Sequence, residues 1–393
     1  MGRTMKEEKR LQEVKVFVID SDVLMRQTLA SMLRKEEGVS LACSAGFSGV
    51  DKTISKIKKQ LPDVIMLGVE SSDSDEMKLF NRVREEFPNV FVVLLTPLNG
   101  EGAKTALQGL KDGAIDYVTK PDRKQGLVLA NWHFHKRVLP LIKSIPKLNS
   151  ERINKPLSIS SDRTASQGLS VGRSRMTPGS TELIVIGSCM GGVTSLYKLI
   201  SQLPENLPVP VVIVQHMPKI YTEELSMELD KITPLNVREA RDNSVLLPGQ
   251  IYVAPGGYHT VIKNDCARKR IYLHRGPREH RSRPSIDVLL RSAVQAYGGR
   301  VLSVFLSGNG NDGVLGAEMV LKYGGNVLLE SEESSLIWDM PKRISKLKTG
   351  INAVASDGLA SEIIKLLKSD SQQKKYRIPR EESDSWDLFT EHA

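Results

Sequence analysis

Three residues in the second half of the chain carry side chains suited to acyl-transfer chemistry, each placed just after an apolar run. Cys189 follows Ile184-Val185-Ile186-Gly187-Ser188 and precedes Met190-Gly191-Gly192. His216 follows Val209–Val214 within Gln215-His216-Met217-Pro218. Asp312 follows Val301–Leu306 within Ser307-Gly308-Asn309-Gly310-Asn311-Asp312-Gly313. A thiol, an imidazole and a carboxylate are the nucleophile, base and orienting acid of a hydrolase triad, which is defined by role and not by order in the chain. A strand that turns sharply into a helix exposes the turn side chain where backbone N–H groups and the helix dipole favour negative charge. By spacing alone the same stretch also reads as a phosphate-binding turn, or as a Gly-rich turn with a buried Cys.

The elements that must position these residues follow from the hydrophobic periodicity. From residue 183 onward, apolar runs alternate with helical patterns at 193–200, 221–229, 286–296, 314–322, 341–347 and 359–367. Between them, residues 247–259 are broken by Pro and Gly into short strands and turns. The first half alternates similarly between 15 and 118, with strands at 16–19, 39–43, 63–67, 90–95 and 115–118. Such β/α alternation predicts two α/β units, the first a doubly wound parallel sheet and the second a mostly parallel one, with ligand-facing residues at the carboxyl ends of the strands. In the first unit those ends carry Asp20, Gly68, Thr96 and Lys120.

Residues 127–145 read as the helix that closes the first unit, limited by Pro140 and Pro146. His133 and His135 within it are two apart, face different directions and read as surface or packing histidines. From Ser150 to Ser180 the chain turns to Ser, Arg, Gly, Asn and Thr, the composition of a flexible basic tether. The expected division is therefore 14–145, a linker 146–180, a second domain 181–369, and a polar tail 370–393.

The 393 residues carry a net charge of +9, concentrated at 123–155, 163–175 and 263–283. No zinc-ligand spacing or RNA-binding aromatic signature accompanies this charge, so nucleic acid is not the expected partner. Cys43, Cys189 and Cys266 are an odd, scattered set, which suits a reducing compartment. No run approaches membrane-spanning length, and the charged N-terminus has no apolar segment behind it, so a cytoplasmic protein without membrane insertion, metal or cofactor is expected.

The first unit resembles the receiver domain of two-component response regulators. The resemblance rests on Val18-Ile19-Asp20-Ser21-Asp22, Pro62-Asp63-Val64-Ile65-Met66-Leu67, Thr96 and Gly113–Pro121. It implies a Mg²⁺-dependent phosphorylation site, but the phosphoacceptor position falls on Gly68 and the second acidic position on Ser21. Glycine offers no carboxylate, and Asp20 alone is a poor Mg²⁺ site. Glu70 and Asp73 stand elsewhere on the loop. A receiver fold without phosphorylation is expected, its degenerate site being Asp20, Ser21, Gly68, Thr96 and Lys120.

Residues 183–361 resemble the catalytic domain of the chemotaxis protein-glutamate methylesterases, the CheB family. The carriers are Gly187–Gly192, Gln215–Pro218, Ala254–His259, Arg283–Asp287, Ser307–Gly313 and Met340-Pro341. The resemblance implies hydrolysis of glutamyl methyl esters, and deamidation of certain glutamines, on methyl-accepting chemoreceptors, with the chemotaxis histidine kinase as a further partner. It implies His216 as base, Asp312 as orienting acid, and an oxyanion site built from the turn Met190, Gly191 and Gly192 and the backbone N–H of Asn309. The family turn reads Gly-Ala-Ser-Thr-Gly-Gly, so its serine aligns with Cys189 and its alanine with Ser188. A free thiol has a pKa of about 8.5, lowered at a helix N-terminus and beside His, and is the stronger nucleophile. The alternative is a catalytically weak or inactive receptor- or kinase-binding adaptor of the chemotaxis system. Glu330 and Asp339 stand where the family usually has Gln and Gly. In the family the unphosphorylated receiver packs over the active site. Ser385-Trp386-Asp387-Leu388-Phe389 in the tail faintly resembles the Trp-x-x-Phe tether of some chemoreceptors.

Overall fold

The computed structural model describes residues 13–120, 137–147, 181–266 and 268–374. His133, His135, the whole basic tether at 150–180 and the Trp386–Phe389 segment lie outside the described residues.

The first domain is a five-stranded parallel sheet in the order β2-β1-β3-β4-β5, with strands β1 (Val14–Ile19), β2 (Val39–Ala45), β3 (Val64–Gly68), β4 (Phe91–Thr96) and β5 (Asp116–Thr119). Strands β1, β3, β4 and β5 are buried almost throughout, as expected when helices cover both faces of a parallel sheet, whereas the edge strand β2 is mostly half-buried. Those helices are α1 (Val23–Leu33), α2 (Val50–Gln60), α3 (Asp75–Glu86) and α4 (Gly100–Lys111). Asp22 caps α1 by accepting from the N–H groups of Leu24 and Met25, and Asn99 caps α4 through Gly102 N–H. Of the predicted closing helix, the described part is α5 (Leu139–Ser144), with Pro140 in its first turn and a 3₁₀ turn over Ile145–Lys147.

The second domain is a seven-stranded parallel sheet in the order β14-β13-β12-β6-β7-β9-β8. Its central strands are β6 (Leu183–Ser188), β7 (Val211–Gln215) and β12 (Val301–Phe305). The chain runs outward from β6 through β7 to β8 (Asn236–Glu239) and β9 (Gln250–Val253), then returns to β12 on the other side. The order reverses at β6, and a crevice outside the strand ends at such a reversal is where α/β sheets bind ligands. Helices α6 (Gly192–Ser201), α7 (Lys219–Asp230), α8 (Ile286–Tyr297) and α9 (Val314–Lys322) lie near the predicted positions. So do β13 (Asn326–Glu330), α10 (Asp339–Ser345) and α11 (Leu359–Lys374), the last continuing past residue 369.

Two features escaped the periodicity. One is the edge strand β14 (Asn352–Val354), too short to show a pattern. The other is an antiparallel hairpin of β10 (His259–Asp265) and β11 (Arg268–His274), in register from His259 opposite His274 to Asp265 opposite Arg268. Its charged residues mask the alternation, because Ile262 and Ile271 are the only fully buried apolar side chains in the two strands.

Candidate active site

Because β12, β6 and β7 are neighbours, the loops at their carboxyl ends converge. Cys189 leaves the end of β6, its N–H donating to the carbonyl of Ser307 at 3.1 Å, and its carbonyl accepts from Gln215 Nε2 at 2.8 Å. His216 leaves the end of β7, held by its own N–H on the Ser188 carbonyl at 3.1 Å. Gly308, after β12, passes so close that an added Cβ would lie 2.9 Å from the Cys189 Cβ. Backbone therefore approaches the thiol directly, and only glycine fits there.

His216 Nε2 lies 2.7 Å from Asp312 Oδ2. Asp312 is buried at the N-terminus of α8, where Ser285 Oγ donates to it at 2.7 Å, Ile286 N–H at 2.8 Å and Asp287 N–H at 3.1 Å. Burial works against its charge, but the His216 contact and these donors outweigh it and hold the carboxyl below the usual range. Burial likewise pushes the Cys189 thiol up. The His216 imidazole beside it opposes this by charge and hydrogen bond, with help from Arg137 and the Asn309 N–H, and the thiol ends below its ordinary value. Burial lowers His216, yet the thiol and Asp312 on its two sides raise it well above the normal imidazole range. These opposite shifts of neighbouring groups favour the charged form of each.

Gly191 adopts φ 71°, the left-handed conformation that ends the turn and starts α6. Ser188 is fully buried, its Oγ has no hydrogen-bond partner among the described residues, and a Cβ on Gly192 would lie 2.1 Å from that Oγ. Met190 is buried and its carbonyl accepts from Ser307 Oγ at 2.8 Å.

In the first domain the structure brings Asp20, Gly68 and Lys120 together. A Cβ on Gly68 would lie 2.2 Å from Asp20 Oδ2, so the Asp20 carboxylate fills the space in which a side chain at 68 would begin. Lys120 Nζ sits 3.1 Å from Asp20 Oδ2 and 2.6 Å from Glu70 Oε1. Ser21 faces outward with Oγ 3.5 Å from Glu76, and Thr96 is buried.

Several residues at the site were not legible in the sequence because they come from the other domain. Asp116 Oδ2 accepts from Gly191 N–H at 2.9 Å, and Arg137 Nη2 donates to the His216 carbonyl at 3.3 Å. Burial lifts Asp116 to about 6, against the pull of Arg137 and two backbone N–H groups. Tyr117 and Tyr221 stack with ring centroids 5.0 Å apart. Thr96 Oγ1 donates to the Tyr221 hydroxyl at 3.0 Å, which in turn donates to the Pro97 carbonyl at 2.8 Å. Lys111 pairs with Glu228 across the same boundary. Cys189, 8% exposed, and Met190 join a buried apolar cluster that includes Ile115 and Val138. Glu330, whose role the sequence left open, is fully buried at the end of β13, accepting from Ser195 Oγ at 2.6 Å and Ser307 N–H at 2.7 Å.

A doubly wound domain docked by its carboxyl edge onto a parallel α/β domain with Cys, His and Asp at adjacent strand ends defines a class: a receiver joined to a hydrolase-like unit. Family models agree. Residues 16–130 match the response regulator receiver domain and residues 184–363 match CheB methylesterase. A protein-glutamate methylesterase/protein-glutamine glutaminase of Trichodesmium erythraeum is 30% identical over 358 residues, covering 90% of this chain and 99% of that one. One from a Nocardioides species is 32% identical over 356 residues, covering 90% and 93%. The crystal structure of the Thermotoga maritima CheB methylesterase catalytic domain is 35% identical, with a TM-score of 0.47, covering 48% of this chain and all of that one. The chain belongs to the CheB protein-glutamate methylesterase/protein-glutamine glutaminase family. No helix among the described residues is long and apolar enough to cross a membrane.

Proposed function

We propose that the protein is a chemoreceptor-directed protein-glutamate methylesterase and glutaminase that uses Cys189 as its nucleophile. The observation that carries this reading is the alignment of the Cys189 thiol, the His216 imidazole and the Asp312 carboxylate, with the last two 2.7 Å apart. The Cys189 thiolate attacks the carbonyl carbon of a glutamyl methyl ester. The oxyanion formed is met by the Asn309 N–H and the turn after Cys189. His216 gives its proton to the departing methoxide, methanol leaves and a thioester remains. Water then attacks the thioester, His216 takes the water proton, and the thiolate departs to leave a glutamate carboxylate. A glutamine follows the same path with ammonia as leaving group. Asp312 keeps the imidazole oriented and stabilises its charged form.

The functional division is a receiver at 14–145, a linker at 146–180, a catalytic domain at 181–369 and a tail at 370–393. The receiver is not phosphorylated. Gly68 has no acceptor atom, Asp20 fills the adjoining space, and Lys120 is already committed to Asp20 and Glu70. The protein acts in the cytoplasm on the cytoplasmic parts of receptors.

Methanol release from methyl-labelled receptor tests the mechanism. Cys189→Ala is expected to lower turnover by about a thousandfold or more, whereas Ser188→Ala leaves it within about twofold, because that hydroxyl faces the core. Absence of methanol release from the unmodified chain, with release restored by Cys189→Ser, overturns the thiol mechanism in favour of an adaptor.

A further inference from the structure

The charge concentrated at 263–283 is not used by the triad, yet the fold brings part of it to the triad's edge. Starting from Asp312, Ser285 donates to its carboxylate at 2.7 Å. Two residues earlier, the Arg283 carbonyl accepts from Gly257 N–H at 2.9 Å, and Arg283 Nη1 donates to the carbonyls of Arg275 at 3.0 Å and Gly276 at 2.9 Å. Arg275 Nη2 then donates to the Tyr258 hydroxyl at 2.6 Å, with its guanidinium 4.6 Å from the centre of that ring. Lys219 lies 5.9 Å from the same ring and stands three residues after His216. The path thus leaves the orienting acid and closes back on the base, forming a rim.

The cations of this rim point to solvent. Lys219, Arg275, Arg278 and Arg281 are exposed, and none is in an ion pair among the described residues. The acid in their midst, Glu279, is neutralised by Arg291 at 2.5 Å. Cations farther along the hairpin are engaged elsewhere: Arg270 with Asp265 at 2.9 Å, and Lys269 over the Tyr297 ring at 4.4 Å. His280 and Arg281 form the tip of a tight turn at φ 48° and 63°, closed by Ser282 N–H on the Glu279 carbonyl. L side chains disfavour that conformation, and holding two of them there presents Arg281 outward.

We propose that this rim docks an acidic protein segment across the crevice, so that the enzyme selects a glutamyl ester by the carboxylates flanking it. The inference rests on the esterase reading for what the docked segment carries, but not for the binding itself. Every turnover converts a neutral ester into a carboxylate, so a segment with several modification sites becomes more anionic as it is processed. A rim of unpaired cations would hold it between successive sites, and an arginine fork suits a carboxylate.

The test is fluorescence anisotropy of a labelled helical Glu/Ala peptide with the full chain carrying Cys189→Ala, against a Gln/Ala counterpart and a single-stranded oligonucleotide. The Glu/Ala peptide is expected to bind most tightly, and added salt to weaken it. Joint reversal of Arg275, Arg278 and Arg281 to Glu should weaken it by about tenfold or more and flatten the salt dependence. Arg275→Gln with Arg278→Gln, a milder change, should weaken it in the same direction with an unchanged melting temperature. Equal binding of the two peptides, preference for the oligonucleotide, or unchanged affinity in the Gln variant overturns the proposal. Because binding is read without turnover, loss of methanol release from the unmodified chain would overturn the esterase reading and leave this result standing.

Discussion

Sulfur at position 189 changes what the histidine beside it has to do. A serine hydroxyl must lose its proton during attack, so it needs a neutral imidazole. The Cys189 thiol is brought below its ordinary value by His216 and the imidazole is raised, and both directions favour a proton held on the imidazole in the free site. The acid limb of kcat/KM should therefore lie below the usual thiol range, at the lowered value of Cys189. In Cys189→Ser the acid limb should instead follow deprotonation of His216. A pH–rate profile of both forms checks this, and coincident acid limbs would count against a preformed ion pair. The carboxylate behind the histidine is more legible in sequence than its partners are. Asp312 was found from its loop, but Ser285 and the α8 N–H groups that keep it charged lie about 25 residues away in sequence and meet it only in the fold.

Elements decide how firmly the turn is held. The end of β13 carries Glu330 into a fully buried position beneath the Ser307–Asn309 loop. Burial raises its carboxyl to about 7, with Ser195 and Ser307 N–H opposing. The folded chain thus holds a proton there over a range in which an unfolded glutamate has lost it. For an acid shifted upward, stability is full below the unfolded value and falls as pH rises towards about 7. Glu330→Gln keeps an acceptor for Ser307 N–H and removes the charge. It should raise stability at pH about 8 by about 1–3 kcal/mol and change little at pH about 4. Thermal unfolding at the two pH values measures this, and an equal shift at both would refute a titration origin. The sequence marked Glu330 as a departure from its family without showing its burial, because burial depends on what packs over a strand end.

At the scale of the whole molecule, the receiver sits on the turn that carries Cys189. Asp116 occupies the Gly191 N–H, Arg137 holds the His216 carbonyl, and Tyr117 stacks on Tyr221 beside the Lys111–Glu228 pair. Thr96 Oγ1, buried in the first domain, donates its proton to the Tyr221 hydroxyl of the other domain. On the proposed reading, in which Gly68 offers no phosphoacceptor, relief of this contact comes from weakening the interface itself. Asp116→Ala combined with Lys111→Glu should raise methanol release about fivefold or more, while acetyl phosphate should neither label the unmodified chain nor alter its turnover. Labelling by acetyl phosphate, or an interface variant no faster than the parent, would refute this form of control.

The sequence by itself determined the two α/β units and the residues at their strand ends, the glycine at 68 among them. These are local matters: period, turn chemistry and residue type are written along a single stretch. Tertiary structure alone decided that β12, β6 and β7 are neighbours, that Asp20 fills the space beside Gly68, and that Asp116 and Arg137 close on the catalytic turn. Strand order and domain docking depend on contacts between residues far apart in the chain. The hairpin and the cationic rim escaped the reading for the same reason: their charges follow no period, and only the fold shows which of them find partners.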